Sequence, residues 1–392
     1  MKAVFLSTLA LWSSIEAFTP SITNTNRRST TYLNSDARIP IEESSSRQDD
    51  DESEIQWDLF KKHHAKGSYK GLWTSYNYIG DVVDEVVASV NLDYNEENDT
   101  IEQSHTIVVG ATKADCATCF DTFETKVIPV AKYTSNDLRK IRLGSIGMVS
   151  GPTLMRSGAM ATELILSHGD GRIRVVFQHA PVWAADVEPG SGPPSGLKLF
   201  RTLVSREALR DEPPTFESET ATPPTDGNPT FSRGVPPFTW HKEWAGTSWT
   251  WGPQAGNKGW QMDRMEEADA WHGRPTGDGP NVWNLRLPGG ILLHCPRVVS
   301  NDEAGIFRLA WMPTEETLVR MEVSIMALQP MIMEDETLVG FYPPSLGSLR
   351  CDTMTKIGDL PDLPRFIDQE KDTILPKSEE ELKLEGDDSA WQ

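Results

Sequence analysis

The stretch TELILSHGDGRIRVVFQ, Thr162 to Gln178, decides the fold class. Thr162, Leu164 and Leu166 share one side of an extended chain, and Gly169-Asp170-Gly171 turns it back. Ile173, Val175 and Phe177 then alternate with Arg172, Arg174 and Gln178. A period of two on both sides of a glycine-bearing turn predicts an antiparallel hairpin. The same period recurs along the chain. Val86, Ala88, Val90 and Leu92 alternate with Val87, Ser89 and Asn91, and the polar turn Asn95 to Asp99 leads into a second run ending at Val109. Further on, Val319, Met321, Val323 and Ile325 alternate with Arg320, Glu322 and Ser324. Short turns and little helix predict a mainly β protein, as barrel or sandwich. One helix stands before the first strand. Ser53 and Gln56 suit a capping box, Trp57, Phe60 and His64 recur at helical spacing, and Gly67 provides a stop.

Outward from these runs the chain divides. Between Asp211 and Pro237 it reads DEPPTFESETATPPTDGNPTFSRGVPP, with three Pro-Pro pairs and few apolar residues, a linker with stiff extended stretches. It separates a block from about residue 53 to 210 from a second block, 238–366. Near the head of each block a glycine and a tryptophan lie close together. Gly71-Leu72-Trp73 follows the helix, and Trp244, Gly246, Trp249 and Trp251 follow the linker. A glycine followed by tryptophan on a first strand resembles the entry of lipocalin-like barrels, where the indole plugs the closed end. Its presence in both blocks predicts two tandem lipocalin- or calycin-like antiparallel β-barrels.

Composition bounds the chemistry. The 392 residues carry 37 basic and 58 acidic side chains, a net charge of −21. Residues 41–56 and 366–392 each carry a net −6 and read as solvated flanks, which leaves −9 on the rest. A nucleic-acid surface needs clustered Lys and Arg, so that class is excluded. No apolar run reaches the roughly 20 residues of a membrane span. At the start, Lys2, an apolar run from Ala3 to Trp12 and a small-residue site at Ala17 form a signal-peptide pattern over residues 1–17. Residues 18–52 begin with a hydroxylated, arginine-bearing stretch without acids before Asp36, the composition of a transit peptide. The pair resembles the two-part presequence that directs proteins into plastids wrapped in additional membranes. Plain secretion is the simpler competitor, with Asn98-Asp99-Thr100 as a glycosylation acceptor.

The familiar catalytic motifs are missing. None of the eight histidines makes an HExxH pair, and Glu163 is not spaced with His168 as a metalloprotease requires. Gly147 to Gly151 misses the nucleophile-elbow spacing, and Gly252 to Lys258 misses the phosphate-binding loop. Cys116-Ala117-Thr118-Cys119 has no second pair for a zinc ribbon, and Phe120 stands where haem attachment would need histidine. Two readings of Cys116 and Cys119 stand, a locally closing redox pair or two small residues in a structured loop. Tryptophan is the real excess, with seven of 13 between Trp240 and Trp283. Trp73, Trp244, Trp249, Trp251 and Trp260 suit barrel plugs or partner anchors, as do Arg274 and Arg297 at their side. A surface that stacks sugars or tetrapyrroles competes with both. No catalytic, metal-ligating or cofactor-holding residue is expected.

Five longer stretches carry a family resemblance: YIGDVVDE (Tyr78 to Glu85), GATKADCATCF (Gly110 to Phe120), HGDGRIRVVFQHAPVW (His168 to Trp183), PPFTWHKEWAGTSWTWGPQ (Pro236 to Gln254) and LPGGILLHCPRV (Leu287 to Val298). Together they resemble the plastid biogenesis factors required for ATP synthase, whose relatives include lipocalin-like cyanobacterial proteins. The resemblance spans roughly Trp57 to Leu328. It implies a stromal, non-enzymatic assembly factor of two β-barrel domains that contacts the β and γ subunits of the ATP synthase catalytic head. The alternative is a lipocalin-like carrier holding a tetrapyrrole or lipid in a barrel lumen.

Overall fold

The structure, a computed structural model, describes residues 44–111, 119–155, 157–183, 187–188, 194–209, 242–253, 260–265, 281–287, 289–301, 303–314, 316–332, 338–342 and 344–359. Residues 1–43, the linker at 211–237 and the acidic tail at 367–392 lie outside them, whereas residues 44–52, expected to belong to the transit and acidic segment, form the start of a helix. A helix α1 (Ser44–Leu59) widens into a π-helical turn, Phe60–His64. Nine strands follow: β1 (Ser68–Asn77), β2 (Val82–Asn95), β3 (Thr100–Val108), β4 (Thr125–Tyr133), β5 (Ile141–Leu143), β6 (Gly147–Leu154), β7 (Met160–His168), β8 (Gly171–Val182) and β9 (Gly196–Leu209). Beyond the linker come β10 (Lys242–Pro253), β11 (Trp260–Met265), β12 (Val282–Leu287), β13 (Ile291–Pro296), β14 (Val298–Val299), β15 (Gly305–Thr314), β16 (Thr317–Ile325), β17 (Gln329–Ile332), β18 (Leu338–Tyr342) and β19 (Leu346–Asp359).

The protein is mainly β, built on a curled antiparallel half-barrel sheet with a short helix at its start. The first sheet runs β4-β3-β2-β1-β9-β8-β7-β6-β5, and the second runs β11-β10-β19-β16-β15-β13-β12. Strands β17 and β18 pair by themselves. Both large sheets share one plan: consecutive strands pair as a meander, and the last long strand (β9, then β19) returns to pair with the first (β1, then β10). The hairpin read from the sequence is β7–β8, with His168 facing Gly171. Of the two turn residues only Gly169 takes a positive φ, 57°, as a two-residue turn with glycine at its first central position requires.

Alternation in β8 has an unexpected outcome, because both of its faces are buried. Ile173, Val175 and Phe177 pack with Leu164 and Leu166 against Phe307, Leu309, Val319, Met321 and Val323 of the second sheet. Arg172 and Arg174 point the other way, into the hollow of the first sheet. The two sheets therefore stand back to back on one shared apolar core. Backbone hydrogen bonds weld the seam. Strand β14 pairs with β9 at Lys198 and Leu197, beyond the end of β1. Leu199 N–H donates to the Arg297 carbonyl, and the His179 ring nitrogen Nε2 donates to the Pro296 carbonyl.

The helix departs from the expected start. Ser53 is no N-cap, since α1 begins at Ser44 and carries most of the acidic flank, whose Glu52 pairs with Arg142. Gln56, expected to close a capping box, instead reaches Leu143 on the edge strand β5. Its amide accepts from Leu143 N–H at 2.7 Å and donates to Leu143 C=O at 3.1 Å, as a neighbouring strand would. An edge strand leaves such groups unpaired, and buried backbone groups need partners. Trp57, Phe60 and His64 do turn inward together, as their spacing predicts.

Candidate functional site

Behind α1 the hollow of the first sheet holds a chain of polar contacts. Tyr133 donates its hydroxyl to Gln103 Oε1 at 2.8 Å, and the Gln103 amide donates to His105 Nε2 at 3.0 Å. The His105 ring meets the edge of Trp73 at 5.0 Å between centroids. Trp73 donates from Nε1 to Glu207 Oε1 at 2.8 Å, and the other oxygen of Glu207 accepts from Arg172 Nε at 2.7 Å. Arg174 reaches both Glu207, at 3.4 Å, and Glu163, at 3.2 Å. The Arg172 guanidinium lies 3.7 Å from the centre of the Tyr69 ring, and that of Arg174 lies 4.6 Å from Trp73.

Two guanidiniums face two carboxylates, so the cluster is balanced in charge. Removing one partner from such a buried pair would strand a charge, at about 3–5 kcal/mol. His105 is held well below its ordinary pKa, first by burial and then by the two arginines. Burial likewise pushes the Tyr133 hydroxyl up. His64 closes one end, donating from Nε2 to the Gly144 carbonyl at 3.0 Å, while its Nδ1 has no partner. Between these groups remains a cavity of about 20 Å³. A water needs roughly 10–15 Å³, so the cavity suits about one water.

The second sheet repeats the theme on its face away from the seam. Arg320 and Arg350 both bind Asp352, the latter at 2.8 Å. Arg308 donates to Glu322 at 2.5 Å and to His294 Nε2 at 3.4 Å, while His294 donates from Nδ1 to Asn284. Arg320 stands directly across from Asp352 on β16–β19, just as Arg172 stands across from Glu207 on β8–β9. Each sheet thus carries a carboxylate on its returning strand and an arginine on the strand beside it. The glycines match less closely. Gly71 faces Glu207, whereas Gly246 faces Met354 and Ser248 faces Asp352, a shift of one two-residue step.

The residues singled out in the sequence scatter over three settings. Trp73 lies in the hollow of the first sheet, and Trp244 lies buried on the equivalent face of the second. Trp251 belongs to the shared core, and Trp249 is partly buried. Trp260 begins β11, but its side chain lies outside the described residues. Arg274 and Cys116 also lie outside them, and Cys119 opens a single helical turn, Cys119–Thr122. Arg297 is exposed, its guanidinium donating to the Val282 carbonyl. Cys295 and Cys351 are free and buried, and burial raises both thiols. Among the described residues no three His, Cys, Asp or Glu side chains gather as metal ligands would. Sequence reasoning missed the cluster around Glu207. Its one signal was the pair of arginines on a single face of β8.

Residues 53–181 match the family described as a domain of unknown function, DUF3598, N-terminal. That match ends before β9, the strand that sits between β1 and β8. The crystal structure of a protein of unknown function from the DUF3598 family of Nostoc punctiforme aligns with 77% of this chain and 99% of its own, at 14% identity and a TM-score of 0.43. A comparison with curated proteins finds no match.

Proposed function

We propose that this protein is a chaperone-like assembly factor that binds other proteins through its outer surface, and that its clients are unassembled β and γ subunits of the plastid ATP synthase catalytic head. The observation that supports a binding role is the filling of the first sheet's hollow among the described residues. The two arginines of the first sheet's polar cluster are ion-paired within it, around about 20 Å³ of space. The clients' identity rests on the resemblance carried by the five stretches between Tyr78 and Val298. In this reading each sheet is a lipocalin-like antiparallel barrel, joined back to back as a tandem, and residues 1–52 deliver the chain to the stroma.

Unassembled head subunits expose apolar contact surfaces that invite aggregation. A rigid body could cover these until assembly closes. Net charge of −21 keeps such a body soluble and speeds its encounter with basic surfaces. The carrier alternative needs a lumen of roughly 300 Å³ or more, well above the cavity found behind α1.

Crosslinking in intact plastids tests the proposal. Recovery of β or γ subunits without the assembled enzyme is the expected result. Adducts only with unrelated chains, or a coloured ligand or lipid co-purifying with the protein, would overturn it.

A further inference from the structure

We propose that the turn between β1 and β2 together with the first two residues of β2, Tyr78 to Val83, is the docking surface, and that it takes a protein partner whose contact face is apolar with a basic rim. The turn lies in the YIGDVVDE stretch, and its large apolar side chains face outward: Tyr78 is 50% exposed, Ile79 66%, Val82 56% and Val83 59%. Single exposed apolar residues are ordinary, but a contiguous set at one tip marks an interaction site.

This tip is also held rigid, which a solvent-facing turn does not require. Asn77 Oδ1 accepts from the backbone N–H groups of Ile79, at 3.0 Å, and Asp81, at 2.9 Å. Asn77 N–H donates to the Asp81 carbonyl, and Gly80 N–H donates to the Asn77 carbonyl. Gly80 takes a φ of 95°, and a Cβ there would meet Leu285 at 2.9 Å. From the second sheet Trp283 donates its indole N–H to the Tyr78 carbonyl at 2.7 Å. Both sheets thus present one preorganised apolar tip, and preorganisation lowers the ordering cost of binding.

Charge selects the partner. Asp81 and Glu85 are exposed beside the apolar set. Asp84 is offset by Arg201, and Lys198 sits 6.0 Å from the centre of the Tyr78 ring. Of the charges left exposed there, Asp81 and Glu85 stand against Lys198, so the rim is acidic by one net charge. Complementarity then calls for Lys and Arg around an apolar centre. This surface deepens the assembly reading and rests on it only for the partner's identity.

The test uses the full-length protein with the photoreactive p-benzoylphenylalanine incorporated at position 79, or at position 357 as a control. Ile357 is 63% exposed on β19. Each form is irradiated with purified ATP synthase β and γ subunits and with stromal extract, and the crosslinked peptides are sequenced. We expect adducts from position 79 on an apolar segment flanked by Lys or Arg. Ile79→Asp should weaken binding of that partner at least tenfold with an unchanged melting temperature, whereas Ile357→Asp should leave binding intact. A head subunit in the adduct supports both the surface and the assembly reading. A different chain with that apolar and basic contact, lost in Ile79→Asp, supports the surface and ends the assembly reading. Adducts to head subunits from position 357 but not 79 end the surface proposal and leave the assembly reading standing. Adducts within the same chain, or none at all, overturn the surface.

Discussion

Gly71 and Gly246 show at the scale of single residues how tightly the returning strands close on the first ones. A Cβ at Gly71 would lie 1.9 Å from the Arg206 carbonyl oxygen, and one at Gly246 would lie 1.9 Å from that of Thr353. Neither obstacle is a flexible side-chain end, so the backbone itself would have to part. Neither glycine is among those with a positive φ, so close approach is the whole reason for its place. Gly169 is the opposite case, with nothing within 4 Å of its would-be Cβ and a φ of 57°. We therefore expect Gly71→Ala and Gly246→Ala each to destabilise the fold by at least about 3 kcal/mol. Gly169→Ala should cost only the left-handed backbone penalty, about 1–2 kcal/mol. Urea unfolding of the three variants measures this, and equal losses at all three positions would remove the close-approach argument.

At the scale of elements, α1 and its π-helical turn act as the strand that β5 lacks. Gln56 supplies both halves of a ladder rung to Leu143, His64 covers the next carbonyl at Gly144, and Phe60 meets the Tyr133 ring edge at 5.4 Å. Asp99 pins the outer side, accepting from Trp57 Nε1 and from the Tyr94 hydroxyl, both at 2.8 Å. It does so from a φ of 47°, which a short polar side chain tolerates better than most. Gln56→Ala removes two hydrogen bonds and leaves buried backbone groups unpaired, so a loss of about 2–3 kcal/mol is expected. Amide exchange at Leu143 should quicken more than exchange in β8, and equal change in both would argue against a local role. The same elements show what the sequence could reveal. Period-two alternation marked β2, β7, β8 and β16 because side-chain direction along a strand is local. It could not say that Arg172 and Arg174 would be buried, because that depends on the curl of the first sheet and on the π-helical turn, about a hundred residues earlier, covering its hollow. Helical spacing placed Trp57, Phe60 and His64 on one face, yet the true start at Ser44 and the use of Gln56 depend on a strand edge 87 residues later. The glycine–tryptophan echo pointed to a repeated plan, while the carboxylate partners, Glu207 and Asp352, carry no local mark.

For the molecule as a whole, the shared core makes the two sheets one cooperative unit. Eleven described residues of β1–β9 belong to that core, among them Leu164, Val175 and Phe177. At roughly 1.5–3 kcal/mol for each large side chain, exposing them would exceed the whole stability of an ordinary domain, about 5–15 kcal/mol. The sheets should therefore unfold together rather than swing apart, and this makes histidines at their joints sensitive reporters. His179 lies at the seam against Phe307, and His64 joins the helix to the loop after β5. Burial lowers both to about 4, only partly opposed by their hydrogen bonds to Pro296 and Gly144 carbonyls, and Arg172 lowers His64 further. In each ring Nε2 already donates and Nδ1 is bare, so protonation would place a buried N–H where nothing accepts it. His294, lowered to about 4 by burial and then Arg308, titrates in the same range. The unfolded chain takes up these protons near pH 6.5, while the folded one refuses them until about pH 4. Stability is thus full above pH 6.5, falls as the pH drops through that window, and levels off below it. Each histidine contributes a slope of about 1.4 kcal/mol per pH unit. His179→Gln keeps a donor for the Pro296 carbonyl but cannot titrate, so its unfolding free energy should lose about one histidine's share of the slope. A single unfolding transition by fluorescence and circular dichroism, with that flatter pH dependence, is the expected outcome. Two separate transitions, or an unchanged slope in His179→Gln, would show that the seam does not hold the sheets as one.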